Sequence, residues 1–382
     1  MSARAATTGV FFVNGAAWGV WAAQIPFVQE RFELSKSALG LVLLAMSVGV
    51  ILAMLVAGQA VVRLGSARST RLGGLALCLV VPLPLLAPEV LLLPLALLAF
   101  GAASAAMDVS MNAHGTAIER ALGRPIMSSL HAGWSFGGFA GAGAAGLATA
   151  AGVDPRLQAT IAAALLLAAL LACLPGLGPG SATVADARFR LPSRAIVLLA
   201  ALCFLIMVTE GAMADWGGVY LRGDLGASAG LAATAFAAFA AGMTIGRLTG
   251  DALSRRLGAT RLLRAGSALA ALSLGTLLLV GQPLVALAGL VLVGIGVANG
   301  VPLLFSAAGH GDVETSGPSI AAVSSMGSIG FLVGPPFIGF LADATSLPVA
   351  LATLCAATGT VALLAGRAAG PVASRPPPLV AR

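Results

Sequence analysis

Charge is what this chain has least of. Only 9% of its 382 residues are Asp, Glu, Lys or Arg, against about 25% in a soluble domain. That is too few to cover a water-exposed surface of normal size. There are 14 acids against 21 bases, only 3 histidines and a single tyrosine. The four cysteines, Cys78, Cys173, Cys203 and Cys355, stand singly in apolar runs without CxxC or any metal-ligand spacing. Neither a metal nor another cofactor is expected. No GxxxxGK[ST] loop occurs, so ATP is not the expected energy source. No nucleophile–base pair can be picked out, and an enzyme is not expected.

What is abundant is apolar: 59% of the residues are hydrophobic, and the mean hydropathy is +1.00. The 49 glycines suit membrane helices, where small residues let backbones approach closely. Crossing roughly 30 Å of hydrocarbon takes about 20 helical residues. Twelve runs qualify, at about 8–30, 38–62, 71–91, 93–118, 126–150, 157–175, 195–221, 226–253, 262–281, 284–309, 318–341 and 347–366. The expected fold is an all-α membrane protein with twelve transmembrane helices. The first run is longer than a signal-peptide core and is preceded only by Arg4, so it is expected to be a true span.

The bases set the orientation. With a cytoplasmic amino terminus, 16 of the 21 lie inside; Arg31, Lys36, Arg156 and Arg222 lie outside, and Arg247 is embedded. This asymmetry follows the positive-inside rule. The excess of base is therefore a topology signal and does not call for a nucleic-acid partner. Both termini are expected in the cytoplasm, in the cell (inner) membrane, with the chain working as a monomer in the lipid bilayer.

The chain also repeats. Arg63-Leu64-Gly65-x-x-Arg68-x-x-Arg71 recurs as Arg256-Leu257-Gly258-x-x-Arg261-x-x-Arg264, an offset of 193. The same offset carries Ser135-x-Gly137-x-x-x-Gly141 onto Ser328-x-Gly330-x-x-x-Gly334, Gly49 onto Gly242 and Gly101 onto Gly294. Residues 1–175 and 194–367 are expected to be two pseudo-symmetric six-helix halves. A cytoplasmic linker over 176–193, rich in Gly, Pro and Ser, joins them, and 368–382 reads as a disordered tail. Parallel repeats of this kind place a binding site between the halves near the membrane midplane.

Polar residues inside the spans are the candidates for that site, because a carboxylate in hydrocarbon is costly unless paired, protonated or wetted. Asp108 shares a helical stripe with Ser104, Asn112 and Glu119 and is the first candidate for proton coupling, with Glu210 and His131 beside it. A structural acid held by Asn112 or by backbone is the alternative for Asp108. Asn14, Trp18, Trp21 and Gln24 in the first span could hold a sugar-like ring, its C–H faces on indole and its hydroxyls on amide. Asn112, Asn299 and Ser324 could add polar lining. Arg63, Arg68, Asp215, Arg247 and Asp251 are candidate gating or structural charges, with Asp215 expected to pair with Arg222 and Arg247 with Asp251.

These features resemble the major facilitator superfamily over essentially the whole length. The family's loop signature after span two matches Gly58-Gln-Ala-Val-Val62-Arg63-Leu-Gly65-Ser-Ala-Arg68, except that Val62 occupies the usual acid position. In the family this loop latches the halves in one state, and Asp251 in Gly246-Arg247-x-x-Gly250-Asp251 is the candidate to replace the missing acid. Pro26, Asp108-x-x-x-Asn112, His131-x-Gly133-x-Ser135-x-Gly137-Gly138 and Glu210-Gly211-x-x-x-Asp215-Trp216 are similar to the sugar-permease branch that includes fucose–proton symporters. In that branch one acid lies in span one and one in span four. Asp108 resembles the second, whereas span one here has only Asn14 and Gln24, so the two-acid mechanism does not carry over.

The resemblance implies a secondary transporter moving a small polar organic solute, with a sugar among the candidates, by proton symport through alternating access. The alternative is a proton-antiport exporter of drugs or metabolites. A non-transporting receptor would be expected to carry a soluble domain or long tail, and none is apparent.

The topology is testable by impermeant thiol labelling of cysteines placed at Ser181 and Asp154. Ser181→Cys should react only from the cytoplasm and Asp154→Cys only from outside. The reverse pattern would invert the arrangement.

Overall fold

The computed structural model describes residues 1–123, 126–178, 194–309 and 313–368. Most of the linker expected over 176–193, with Ser181, and all but the first residue of the tail expected over 368–382 lie outside the described residues. Among the described residues the regular structure is helical throughout, with no strand. We number the long elements α1 (Ala3–Arg31), α2 (Lys36–Leu64), α3 (Ser66–Leu86), α4 (Leu93–Leu122), α5 (Met127–Ala150) and α6 (Pro155–Cys173). The second half supplies α7 (Arg194–Val219), α8 (Ala235–Leu257), α9 (Ala259–Val280), α10 (Pro283–Gly309), α11 (Val313–Ala344) and α12 (Leu347–Ala368).

Ten of these segments are long and apolar enough to cross a membrane. The two left over are α1 and α5, with 29 and 24 residues, long enough but more polar. They hold Asn14, Trp18 and Gln24, and His131, Trp134 and Ser135, respectively. Glycines on their facing surfaces, Gly15 and Gly19 on α1 and Gly137 and Gly141 on α5, let them lie against each other. A Cβ on Gly15 would overlap the carbonyl of Trp134, and one on Gly137 would overlap that of Phe12.

The repeat is built into the packing. Gly49 on α2 and Gly101 on α4 each face bare backbone of the other helix: a Cβ on Gly49 would strike Leu98 O, and one on Gly101 would strike Met46 O. At the shifted positions, Gly242 on α8 meets Val291 O on α10, and Gly294 on α10 meets Phe239 O on α8. These partners are themselves related by the offset of 193, Leu98 to Val291 and Met46 to Phe239. The turns agree as well: Gly65 between α2 and α3 has φ 80 and ψ 152, and Gly258 between α8 and α9 has φ 83 and ψ 149. Both lie in a region that residues with a side chain avoid.

Local caps fix the remaining ends. Ser35 Oγ accepts from Ala38 N at 3.1 Å to start α2, and Asp154 Oδ1 accepts from Arg156 N at 2.8 Å to start α6. Glu119 does more than end α4. Its Oε2 accepts from Ile126 N at 2.7 Å and Met127 N at 2.9 Å, closing the start of α5. Sequence reading alone leaves Glu119 as a solvated helix end, because its partners lie across the turn.

The halves meet along two related seams, α2 against α11 and α5 against α8, with α1 also touching α7. The offset of 193 carries one seam onto the other.

Substitution at the crossings is expected to be severe, and symmetric. Gly49→Val and Gly242→Val should each destabilise their half by about 2 kcal/mol or more, the upper range for overpacking. Gly143→Ala and Gly275→Ala, where an added Cβ meets nothing within 4 Å, should be near neutral. Thermal unfolding in detergent distinguishes the two classes. Equal melting temperatures for all four variants would contradict the packing account.

Candidate functional site

The centre of the molecule holds a set of hydrogen bonds within the first half and, beside it, one that crosses from the second half. On the first-half side, Trp18 Nε1 donates to Ser104 Oγ at 2.6 Å, and Asn14 Nδ2 donates to Ser104 O at 3.3 Å. Trp134 Nε1 on α5 donates to Asn14 Oδ1 at 2.9 Å. The α1 amide thus joins α4 to α5. From the second half, Arg247 on α8 donates through Nη1 to Ser135 Oγ at 2.6 Å, and its guanidinium lies 5.9 Å from the Trp134 ring centroid. Arg247 also interacts electrostatically with Glu210 on α7 and with His131 on α5. Phe331 on α11 meets Trp18 edge-on with centroids 5.9 Å apart, giving a second contact across the halves.

Asp108 lies one turn from Ser104 on the same face of α4, beside α1. Its side chain is exposed although it is mid-helix. Its donor is Asn112, whose Nδ2 reaches Asp108 Oδ1 at 3.1 Å and Asp108 O at 2.9 Å. Neither of the two salt bridges among the described residues involves it. Asp108 is thus an exposed mid-span acid next to the polar chain, with no cation paired to it among the described residues.

The halves are joined at the end of the bundle away from the two termini. There Lys36 Nζ lies 3.8 Å from Asp224 Oδ1, and Arg222 Nε pairs with Glu30 Oε1 at 2.5 Å. Asp343, at the end of α11, accepts from the first backbone amides of α2, Lys36 N at 3.1 Å and Ser37 N at 2.9 Å, and from Ser37 Oγ. Each contact joins one half to the other, and the Asp343 contact sets a carboxylate at a helix N-terminus, where it is stabilised. Below them Gly218 abuts the ring of Pro26, and Gly230 abuts Ala150. At the terminus end the charges Arg63, Arg68 and Asp251 are exposed and enter no ion pair among the described residues.

Several candidates read from sequence sit elsewhere. Trp21 is buried against Phe100, with centroids 6.5 Å apart, and its Nε1 has no partner. Gln24 Nε2 donates to Gln158 Oε1 at 2.8 Å, a clamp between α1 and α6. Asn299 occupies a break in α10, donates to Gly246 O at 3.0 Å and fills the space over Gly250, so it binds α10 to α8. Ser324 is half-buried, and its carbonyl accepts from Ser328 Oγ at 3.1 Å. Two expected pairs are replaced. Arg222 turns to Glu30 rather than Asp215, and Arg247 reaches across to Ser135 rather than along its own helix to Asp251. In both cases a partner in the other half outcompetes one on the same helix. His131 stacks edge-on against Phe11 at 5.3 Å. A separate void inside the second half, lined by Met213, Gly217, Tyr220 and Leu290 among others, exposes no polar surface and offers nothing to a polar solute.

Sequence reading missed Ser104, Trp134 and Phe331 as members of the central chain, and Glu30, Lys36, Asp224 and Asp343 as a closure. Trp134 had a signal, since it lies between His131 and Ser135 in a polar segment. The closure had none, because its partners are up to 307 positions apart.

The profile of the Major Facilitator Superfamily matches residues 7–317. An uncharacterized MFS-type transporter of Yersinia pestis is 35% identical over 365 residues, 95% of this chain and 93% of that protein. A variant of the nucleoside transporter NupG superposes with a TM-score of 0.76 at 12% identity, covering 96% of this chain and 100% of that one. A D-xylose–proton symporter does so with a TM-score of 0.74 at 13% identity, covering 95% and 96%. At such low identity the two structures speak for the fold alone.

The closure makes a direct prediction. Asp343→Asn removes the charge from the α2 N-terminus and should weaken the closed end by about 1 kcal/mol, close to a fivefold change in population. In a Pro26→Cys background, the rate of labelling by an impermeant thiol reagent should rise about fivefold. An unchanged rate would show that the Asp343 contact does not hold the ends together.

Proposed function

The chain belongs to the Major Facilitator Superfamily and is a multi-pass membrane transporter, and on that premise we propose that it carries a small polar organic solute by proton symport. The observation that carries the proposal is Asp108, an exposed acid at mid-span whose one donor among the described residues is Asn112. A gradient does work only if some group's proton affinity differs between the two states of the carrier. A carboxyl that faces water in one state and is enclosed in the other meets that requirement. Glu210 is the second acid of the site, held by its interaction with Arg247.

The lining supports a hydroxylated solute. Trp18 and Phe331 supply aromatic surface for C–H faces, while Asp108, Asn112 and Glu210 accept or donate hydrogen bonds to hydroxyls. A sugar fits this set. Alternating access is supported by polar contacts that join the halves at mid-depth and by a closure that, among the described residues, lies at the end away from the termini. His131 has the chemistry of a relay and lies beside Arg247. Trp21, Gln24 and Asn299 hold the helices around the site and are not solute ligands in this reading.

Asp108→Asn mimics the protonated acid permanently while keeping its shape. The variant should lose accumulation driven by a proton gradient, by tenfold or more, yet exchange labelled for unlabelled solute across the membrane, a process that moves no net proton. Glu210→Gln is the matched comparison. Full accumulation in Asp108→Asn with loss in Glu210→Gln moves the coupling to α7. Full accumulation in both abandons these acids.

A further inference from the structure

Asp215 is only 2% exposed, and its Oδ2 has no hydrogen-bond partner. Neither salt bridge among the described residues includes it. Its place on α7 is given by its neighbours four before and three after, which share its face. A Cβ on Gly211 would lie 3.2 Å from the Phe331 ring on α11, and one on Gly218 would lie 2.9 Å from Pro26 Cγ on α1. Arg222, one turn beyond Gly218, crosses to Glu30. The Asp215 face of α7 thus turns toward α11 of its own half at Gly211 and toward α1 of the other half at Gly218, and Asp215 lies between these two contacts, below the closed rim.

The surrounding charges are accounted for. On α1 the nearest are Glu30 and Arg31 at the rim, engaged with Arg222 and with the carbonyls of Leu85 and Ala87. On α11 it is Asp343, engaged with α2. On α8 it is Arg247, which reaches Ser135 and Glu210, with Asp251 further toward the terminus end. On the continuation of α7 are Tyr220, Arg222 and Asp224, the last paired with Lys36. The described part of α10 has no charged residue, and that of α12 has only Arg367 near its end. Among the described residues nothing charged remains for Asp215. An ionised carboxylate left there alone would cost several kcal/mol.

We propose that Asp215 is a second proton-binding site, loaded from the far side, and that closing the far end takes up one proton there. Opening that end separates α7 from α1, brings water to the carboxyl, and lets the proton leave to the far-side solution. Closing reverses the step: a proton from far-side water binds the carboxylate oxygen, and the neutral acid is enclosed. Asp108, on α4 of the first half, is exposed where Asp215 is buried. The inference rests on alternating access but not on Asp108 being the coupling group.

The sign follows from linkage. The closed state binds one proton more than the open one, so raising the pH favours the open far end, by at most tenfold per pH unit for a single linked proton. The measurement is the distance between spin labels at Glu89→Cys and Gln282→Cys, exposed far-end positions in opposite halves, with Cys355→Ser removing the native thiol that is not buried. Across the titration range of a carboxyl, the open fraction of the otherwise native protein should rise with pH. Asp215→Asn and Asp215→Ser should stay closed and pH-independent. Glu30→Gln and Asp343→Asn should shift the open fraction but keep the slope. A slope that survives in both Asp215 variants overturns the proposal, as does one that vanishes in the rim variants instead. A flat native profile also overturns it, and leaves the Asp108 exchange assay to judge the transport reading on its own.

Discussion

The close approach of backbone to backbone at the glycine crossings is the constraint on which the rest depends. In hydrocarbon there is little hydrophobic gain in bringing two helices together, so van der Waals packing must hold them. Gly49 with Gly101, and Gly242 with Gly294, remove every atom that would keep the helix axes apart. Each half is thereby a tightly packed body, pinned at a few places by polar clamps such as Gln24 to Gln158 and Asn299 to Gly246. Polar side chains are freed to gather where the two bodies face each other.

That division explains the distribution of hydrogen bonds. Among the described residues, the side-chain hydrogen bonds between the halves lie at the centre, from Arg247 to Ser135, and at the far rim, from Asp343 to the start of α2 and from Arg222 to Glu30. Contacts at the rim are ionic and partly exposed, the kind worth about 1 kcal/mol or less each. They can be broken and remade at little cost. The central contacts carry a cation from one half onto a hydroxyl of the other, and an aromatic edge from α11 onto α1. A pivot that stays together and a rim that parts are what moving two rigid halves around a bound solute requires.

The sequence makes the architecture legible because both of its signals are local or periodic. Runs of apolar residues mark the helices, and the offset of 193 marks the halves. It even locates the crossings, since Gly49 and Gly101 reappear at the shifted positions. The site is only partly legible. Asp108 and Arg247 stand out because charge inside a span is rare, but which way a Trp or Asn points depends on the neighbouring helix. Trp18 turns to the centre and Trp21 away from it, three positions apart on one helix, and no pattern in α1 separates them. Charge pairs fare worst. Asp215 with Arg222 and Arg247 with Asp251 are sensible within one helix, yet both arginines find partners more than a hundred positions away.

The central claim is that two rigid halves use a proton gradient to move a polar solute past this site. Purified protein in proteoliposomes, given a panel of sugars and nucleosides and an imposed pH gradient, tests it most directly. The account predicts that one class of solute accumulates above its external concentration and that protons move in the same direction with it. Solute that merely equilibrates whatever the gradient, or protons that move against it, would contradict symport through this site.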